Sequence, residues 1–179
     1  SVKFTKELKF KGWLPELLLG QSLQRKTLGI IGLGRIGKAV AIKAKAFEMN
    51  VIYNNRKQLS VDKEKELGTE FVSFDELLKI SDVISLHLPY YPQVHYLIGK
   101  DQFKIMKKSA VFINTARGPL VNEKELCEVL KNKEIYGAGL DVYENEPDIY
   151  PGLLELDNVV LLPHIGSSTQ EARTEMADM

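Results

Sequence analysis

Cys127 is the only cysteine in this 179-residue sequence, so no disulfide can form within the chain, and a reducing compartment, the cytoplasm, suits it. Neither sign of charge is in excess. The 24 Lys and Arg stand against 24 Asp and Glu, which removes any global electrostatic pull toward nucleic acid or an anionic membrane. No apolar run reaches transmembrane length, and residues 1–10 are basic and interrupted rather than signal-like. Repeats, low-complexity tracts and dividing linkers are missing as well, which leads to the expectation of one compact domain with a sizeable core. The single tryptophan, Trp13, lies in an apolar segment, 11–20, and is expected to anchor packing or an interface rather than chemistry. Cys127 falls in a helical pattern and reads as a half-buried packing residue, not a nucleophile.

What the sequence does have is alternation. Short apolar runs at 27–31, 51–53, 70–72, 83–88, 110–114, 135–142 and 159–162 read as strands, and 38–47, 61–67, 100–107 and 123–132 as helices, with Asn122 a cap for the last. Ser73 and Glu76 have capping-box spacing before Leu77 and Leu78, and Ser168 and Glu171 open a final helix that runs off the end of the chain. The economical fold is α/β: a Rossmann-type doubly wound, mostly parallel sheet of six or seven strands with helices on both faces. Such sheets take their ligands outside the carboxyl ends of the strands.

The stretch from Thr27 to Gly37 organises the rest. A β-branched run ends at Gly32, and a helix-forming segment follows Gly37, so Gly32, Gly34 and Gly37 sit where a dinucleotide-binding turn needs them. The first glycine allows the turn, the second lets a pyrophosphate approach the backbone, and the third lets the helix pack against the strand. The helix N-terminus then favours an anion. An ordinary glycine-rich βα turn is the bland alternative.

Three further strand ends carry chemistry-capable side chains: Arg117 after 110–114, Glu144 and Glu146 after 135–142, and His164 after 159–162. Singly, each has a bland reading, as a solvated charge, turn chemistry or a structural histidine. Together with a dinucleotide turn on the same rim, they supply an anion clamp, a carboxylate and a titratable acid, the set that carbonyl reduction of an oxo acid requires. His87 reads as structural and His95 as lying on a solvated helix. No metal site is assigned.

These same residues carry a resemblance. Gly32-Leu33-Gly34-Arg35-Ile36-Gly37, Asn114-Thr115-Ala116-Arg117-Gly118, the run from Gly139 to Pro147, and Pro163-His164-Ile165-Gly166 resemble the signatures of the D-isomer-specific 2-hydroxyacid dehydrogenases, in order and over essentially the whole chain. Within that family the sequence is most similar to the glyoxylate and hydroxypyruvate reductases. The D-3-phosphoglycerate dehydrogenases and non-enzymatic, nucleotide-sensing corepressors that share the fold are the alternatives. The resemblance implies that Arg117 binds the substrate carboxylate, that His164 donates the proton and that Glu146 pairs with it. It also implies that Gly32, Gly34, Arg35, Ile36 and Gly37 hold the dinucleotide, that Pro89 and Thr115 line it, and that Asp141 lies near the nicotinamide amide. The implied partner is a small 2-oxo or 2-hydroxy acid, and a homodimer is expected. Family members carry a second domain, so residues 1–179 are expected to be the NAD(P)-binding domain excised from a chain roughly twice as long.

Some positions depart from the family pattern. Tyr91 and Val94 stand where many relatives have threonines, and Asn122 replaces a common aspartate. The end of the second strand reads Tyr53-Asn54-Asn55-Arg56-Lys57, without the acid that an NAD-preferring domain places about 20 residues past the turn. Either this is a polar loop facing water, or Asn55 offers a neutral hydrogen bond while Arg56 and Lys57 bind a 2′-phosphate. The second account favours NADP over NAD.

Overall fold

The computed structural model describes residues 2–178; Ser1 and Met179, the ends of the segments read above as the basic start and the final helix, lie outside the described residues. Seven strands form one sheet: β1 (Thr27–Ile31), β2 (Asn50–Asn54), β3 (Thr69–Phe71), β4 (Val83–Leu86), β5 (Val111–Asn114), β6 (Gly137–Leu140) and β7 (Val159–Leu161). Their order is β3-β2-β1-β4-β5-β6-β7. Every pairing is parallel, where mostly parallel was expected. Parallel strands need crossovers, and the helices supply them. After α1 (Val2–Lys6), which precedes β1, the connecting helices are α2 (Arg35–Ala46), α3 (Val61–Leu67), α4 (Phe74–Ile80), α5 (Lys100–Ile105), α6 (Glu123–Lys131) and α7 (Pro151–Leu154), and α8 (Gln170–Ala177) follows β7.

The order reverses between β1 and β4. One crossover series runs outward to β3 and the other outward to β7, so the loops after β1 and β4 diverge and leave a crevice at their carboxyl ends. β1 is buried on both sides, which explains its unbroken apolar composition. Leu28 and Ile30 join Ala41, Ala44, Met49, Val51 and Tyr53 in one core, while Ile31 joins the larger core with Leu77, Ile84, Phe103, Phe112 and Leu126. The helices divide accordingly: α2 touches α3, and α4, α5, α6 and α7 touch in series.

Local signals placed several ends well. α3 spans the expected residues and stops at Gly68, whose φ of 57° is left-handed. Ser73 caps α4 by accepting the Glu76 N–H, and Asn122 caps α6 by accepting the Glu125 N–H. Other expectations need correction. The final helix is capped by Thr169, which accepts the Ala172 N–H, not by Ser168, and it stops at Ala177. Two neighbouring hydroxyls competed for one cap, and Ser168 instead accepts from Arg173. His95 follows a single 3-10 turn, Pro92–Val94, not a longer helix. The basic start also holds a helix that the sequence reading did not assign, the short α1. Cys127 is buried on α6 rather than half-buried, though its role remains packing. Trp13 is 81% exposed, so it packs against nothing in its own chain that hides it. No helix among the described residues is long and apolar enough to cross a membrane.

Candidate active site

At the crevice beside β1, Gly32 has a φ of +99°, and a Cβ there would lie 2.7 Å from the His87 carbonyl carbon. A Cβ on Gly37 would meet the Gly32 oxygen at 2.4 Å. Gly34 is different, with nothing within 4 Å of where its Cβ would stand. Two glycines are thus demanded by the fold, and the third leaves open backbone at the start of the twelve-residue α2, where no side chain caps the first turn. Uncapped N–H groups beside open space fit a dinucleotide pyrophosphate.

Gly32, Gly34, Asn55, Arg56, Lys57 and Pro89 line one cleft of about 530 Å³. Arg35 and Ile36 stand exposed on the first turn of α2, outside that lining, and Gly37 lies buried beneath. Asn55 Oδ1 accepts the Leu33 N–H at 2.7 Å and so braces the glycine turn, leaving its Nδ2 as the group that can donate a hydrogen bond to a ligand. The cleft also contains His87, read above as structural, and Tyr91, which stands where many relatives have a threonine. His87 lines it, with its Nε2 2.8 Å from Ser85 Oγ, and burial pushes the ring's pKa down, so it is neutral near pH 7. Tyr91 lines the opposite wall, its ring centroid 5.5 Å from the Arg56 guanidinium carbon.

The second half of the rim is formed by the loops after β5, β6 and β7. Asn114, at the end of β5 and 1% exposed, accepts the Ala116 N–H and donates to the Arg117 carbonyl, both at 3.0 Å. That closes the loop on which Thr115 and Arg117 stand exposed. Arg117 Nη1 also donates to the Ala116 carbonyl at 2.5 Å. A Cβ on Gly118 would fall 1.8 Å from the Tyr143 oxygen, so only glycine lets the loop after β5 lie against the loop after β6.

On that second loop, Glu146 accepts the Tyr143 N–H through Oε1 at 3.0 Å, and its Oε2 lies 2.8 Å from His164 Nδ1. The hydrogen bond from His164 holds the Glu146 carboxyl below the usual carboxylate range, and the Arg117 charge lowers it further. His164 has a left-handed φ of 53°. Asp141, 3% exposed at the end of β6, accepts the Ile165 and Gly166 N–H groups through its two oxygens, each at 2.7 Å, and so fixes the backbone just past His164. Both its oxygens serve this loop, a bracing task the sequence did not suggest. Tyr143 O–H adds a bond to the Leu162 carbonyl at 2.8 Å.

Glu123 completes the corner. It is 4% exposed in the first turn of α6, accepts the Glu144 N–H at 2.6 Å and also receives the Tyr150 N–H. Burial pushes its carboxyl above the usual range against the pull of those two bonds. An acid in a first turn was visible in the sequence, but its burial was not.

The structure therefore brings Arg117, Glu146 and His164 into one corner of the rim that also carries the glycine cleft. The chemistry available is a guanidinium for an anion and an imidazole whose Nδ1 is held by a carboxylate, leaving Nε2 for proton transfer.

Residues 2–166 match the sequence model described as D-isomer specific 2-hydroxyacid dehydrogenase, NAD binding domain. A protein of Staphylococcus aureus (strain MRSA252), provisionally named a 2-hydroxyacid dehydrogenase, is 52% identical over 170 residues, covering 94% of this chain and 53% of that protein. The crystal structure of a glyoxylate reductase from Paecilomyes thermophila superposes with a TM-score of 0.90 at 44% identity, covering 98% of this chain and 52% of the other. A D-isomer specific 2-hydroxyacid dehydrogenase from Lactobacillus delbrueckii ssp. bulgaricus, in its NAD complexed form, gives a TM-score of 0.86 at 32% identity, covering 99% and 57%. The chain spans about half the length of the curated relatives it matches.

Proposed function

From a chain that belongs to the D-isomer-specific 2-hydroxyacid dehydrogenases, as their NAD-binding domain, we propose the cofactor-holding and proton-donating half of a two-domain oxidoreductase that reduces a small 2-oxo acid, glyoxylate or hydroxypyruvate, to the 2-hydroxy acid. The observation that carries this reading is the His164–Glu146 pair at 2.8 Å, with Arg117 close enough to lower the Glu146 carboxyl, on the same rim as the glycine cleft. The 44% identity to a glyoxylate reductase supports the substrate class.

A nicotinamide dinucleotide would be held by the open backbone at Gly34 and by the cleft that Gly32, Arg56 and Pro89 line, and would supply the hydride that the carbonyl carbon of the substrate needs. Arg117 takes the substrate carboxylate through its N–H edges and so fixes the neighbouring carbonyl. Negative charge grows on the carbonyl oxygen, and His164 donates its Nε2 proton there, leaving a neutral ring whose Nδ1–H stays on Glu146. Because Glu146 titrates below the usual carboxylate range, it is ionised at neutral pH and fixes that tautomer.

NADPH is the preferred cofactor in this reading. Support comes from the missing acid after β2 and from Arg56 and Lys57 at the cleft wall. One charge-assisted contact is worth roughly 1.5–3 kcal/mol, so a preference of about tenfold to a hundredfold follows. The protein works as a homodimer, which the exposed Trp13, Leu14 and Leu19 support; sedimentation at micromolar concentration should find twice the monomer mass.

Turnover tests the whole reading. With this chain as the cofactor half of a two-domain enzyme, glyoxylate and hydroxypyruvate should be reduced, with the higher kcat/KM on NADPH. Asn55→Asp should erode that preference, and raised salt should weaken NADPH binding more than NADH binding. No turnover of any 2-oxo acid, with dinucleotide binding intact, would instead indicate a nucleotide sensor.

A further inference from the structure

Arg56 and Tyr91 come from loops on opposite sides of the crevice, after β2 and β4, and meet across it with the guanidinium carbon 5.5 Å from the ring centroid. The two partners are unequal. Tyr91 is partly buried and packs against the larger core, so its ring is a fixed surface. Arg56 is exposed on a loop, and its long side chain has many rotamers to lose. An aromatic face holds a guanidinium by its flat side and leaves the N–H edges free. Among the described residues no carboxylate forms an ion pair with Arg56, so no carboxylate among them claims those edges. The neighbouring acceptor is already engaged, since Asn55 Oδ1 takes the Leu33 N–H. The end of β2 therefore offers a preset cation that no carboxylate among the described residues pairs with.

We propose that Tyr91 is a specificity-determining residue for the cofactor: its ring holds Arg56 over the cleft as a ready receptor for a phosphomonoester, the 2′-phosphate that distinguishes NADPH from NADH. This rests on the cofactor preference proposed above and names the residue that makes Arg56 effective. Preorganisation of this kind improves affinity by lowering the ordering cost of binding, without any contact of its own to the phosphate.

The test is direct titration of the 179-residue chain with NADPH, NADH and adenosine 2′,5′-bisphosphate, in wild type, Tyr91→Phe, Tyr91→Leu, Arg56→Ala and the Tyr91→Leu/Arg56→Ala pair. Tyr91→Leu keeps apolar packing but removes the π face. It should weaken NADPH and the bisphosphate about two- to fivefold, the worth of an exposed cation–π contact, and leave NADH unchanged. Tyr91→Phe should match the wild type. Arg56→Ala should cost NADPH about tenfold or more, and adding Tyr91→Leu to it should cost nothing further. If Arg56→Ala weakens NADPH while Tyr91→Leu does not, the inference about Tyr91 fails and the cofactor preference stands. Equal losses for NADH and NADPH in Tyr91→Leu would also overturn it, since the ring would then serve the part both cofactors share. An Arg56→Ala variant that binds NADPH normally would remove both.

Discussion

On the β1–β2–β4 side of the rim the backbone itself makes the site, whereas on the β5–β6–β7 side buried polar side chains make it. The glycine turn needs a positive φ at Gly32, a close approach at Gly37 and open space at Gly34, with a single side-chain brace from Asn55 to the Leu33 N–H. The corner with Arg117, Glu146 and His164 is instead held by Asn114, Glu123 and Asp141, each nearly inaccessible and each bonded to loop amides. A backbone site depends on which residues have no side chain. A braced site depends on partners far away in sequence: Glu123 lies 21 residues from Glu144, and Asp141 24 from Ile165. The two should therefore fail differently, one by losing ligand and the other by losing geometry.

The largest separation should come from His164→Gln. In the two-domain enzyme it should lower kcat by about 100-fold to 10,000-fold, the usual worth of a general acid, with dinucleotide affinity unchanged by titration. Near-normal turnover would remove His164 from the chemistry.

Gly118→Ala and Gly34→Ala should then divide the rim in two. The first drives a Cβ into the Tyr143 carbonyl and should cost roughly 1–3 kcal/mol of stability, seen as a Tm lower by about 2–4 °C per kcal/mol. The second meets open space, so its Tm should hold while dinucleotide affinity falls. A Tm loss in Gly34→Ala equal to that in Gly118→Ala would erase the distinction.

Asp141→Asn keeps the shape but turns one acceptor into a donor facing an N–H. Leaving one loop amide unsatisfied should cost about 1–3 kcal/mol, and hydrogen exchange at Ile165 or Gly166 should quicken. Unchanged exchange at both would mean that Asp141 does not brace the His164 loop.

The smallest effect is one of pH. Burial raises the Glu123 carboxyl above its unfolded value, so the stability it contributes is fully present below about pH 4.3 and declines as pH rises through the raised value. Glu146 is lowered, chiefly by the His164 hydrogen bond, so its contribution is present above about pH 4.3 and is lost as pH falls through the lowered value. Stability measured against pH for Glu123→Gln and Glu146→Gln, each relative to wild type, should show opposite slopes. Slopes of the same sign would contradict one of the two environments.

Legibility in the sequence followed the same division. The seven strands, α3 with its glycine stop, and the caps at Ser73 and Asn122 were readable because a few adjacent residues decide them. The four-residue α7 carried too little pattern to be seen, and the choice between Ser168 and Thr169 as a cap was too even for local spacing to decide. Arg117 and His164 could be picked out by residue type and strand-end position, whereas the choice of Glu146 over Glu144 came from the family resemblance. Their bracing could not, because a buried Glu123 and an exposed glutamate look alike in a sequence.

The sequence by itself determined the alternation of strands and helices, the glycine turn and the absence of an acid after β2, since each is a property of neighbours along the chain. Only the tertiary structure decided that Asn55 spends its oxygen on the Leu33 amide, that Arg56 meets the Tyr91 ring, and that Asp141 and Glu123 hold the corner around His164. Those are contacts across loops that the parallel sheet brings together at one edge, and no local rule of propensity or spacing encodes which side chain a distant amide will find.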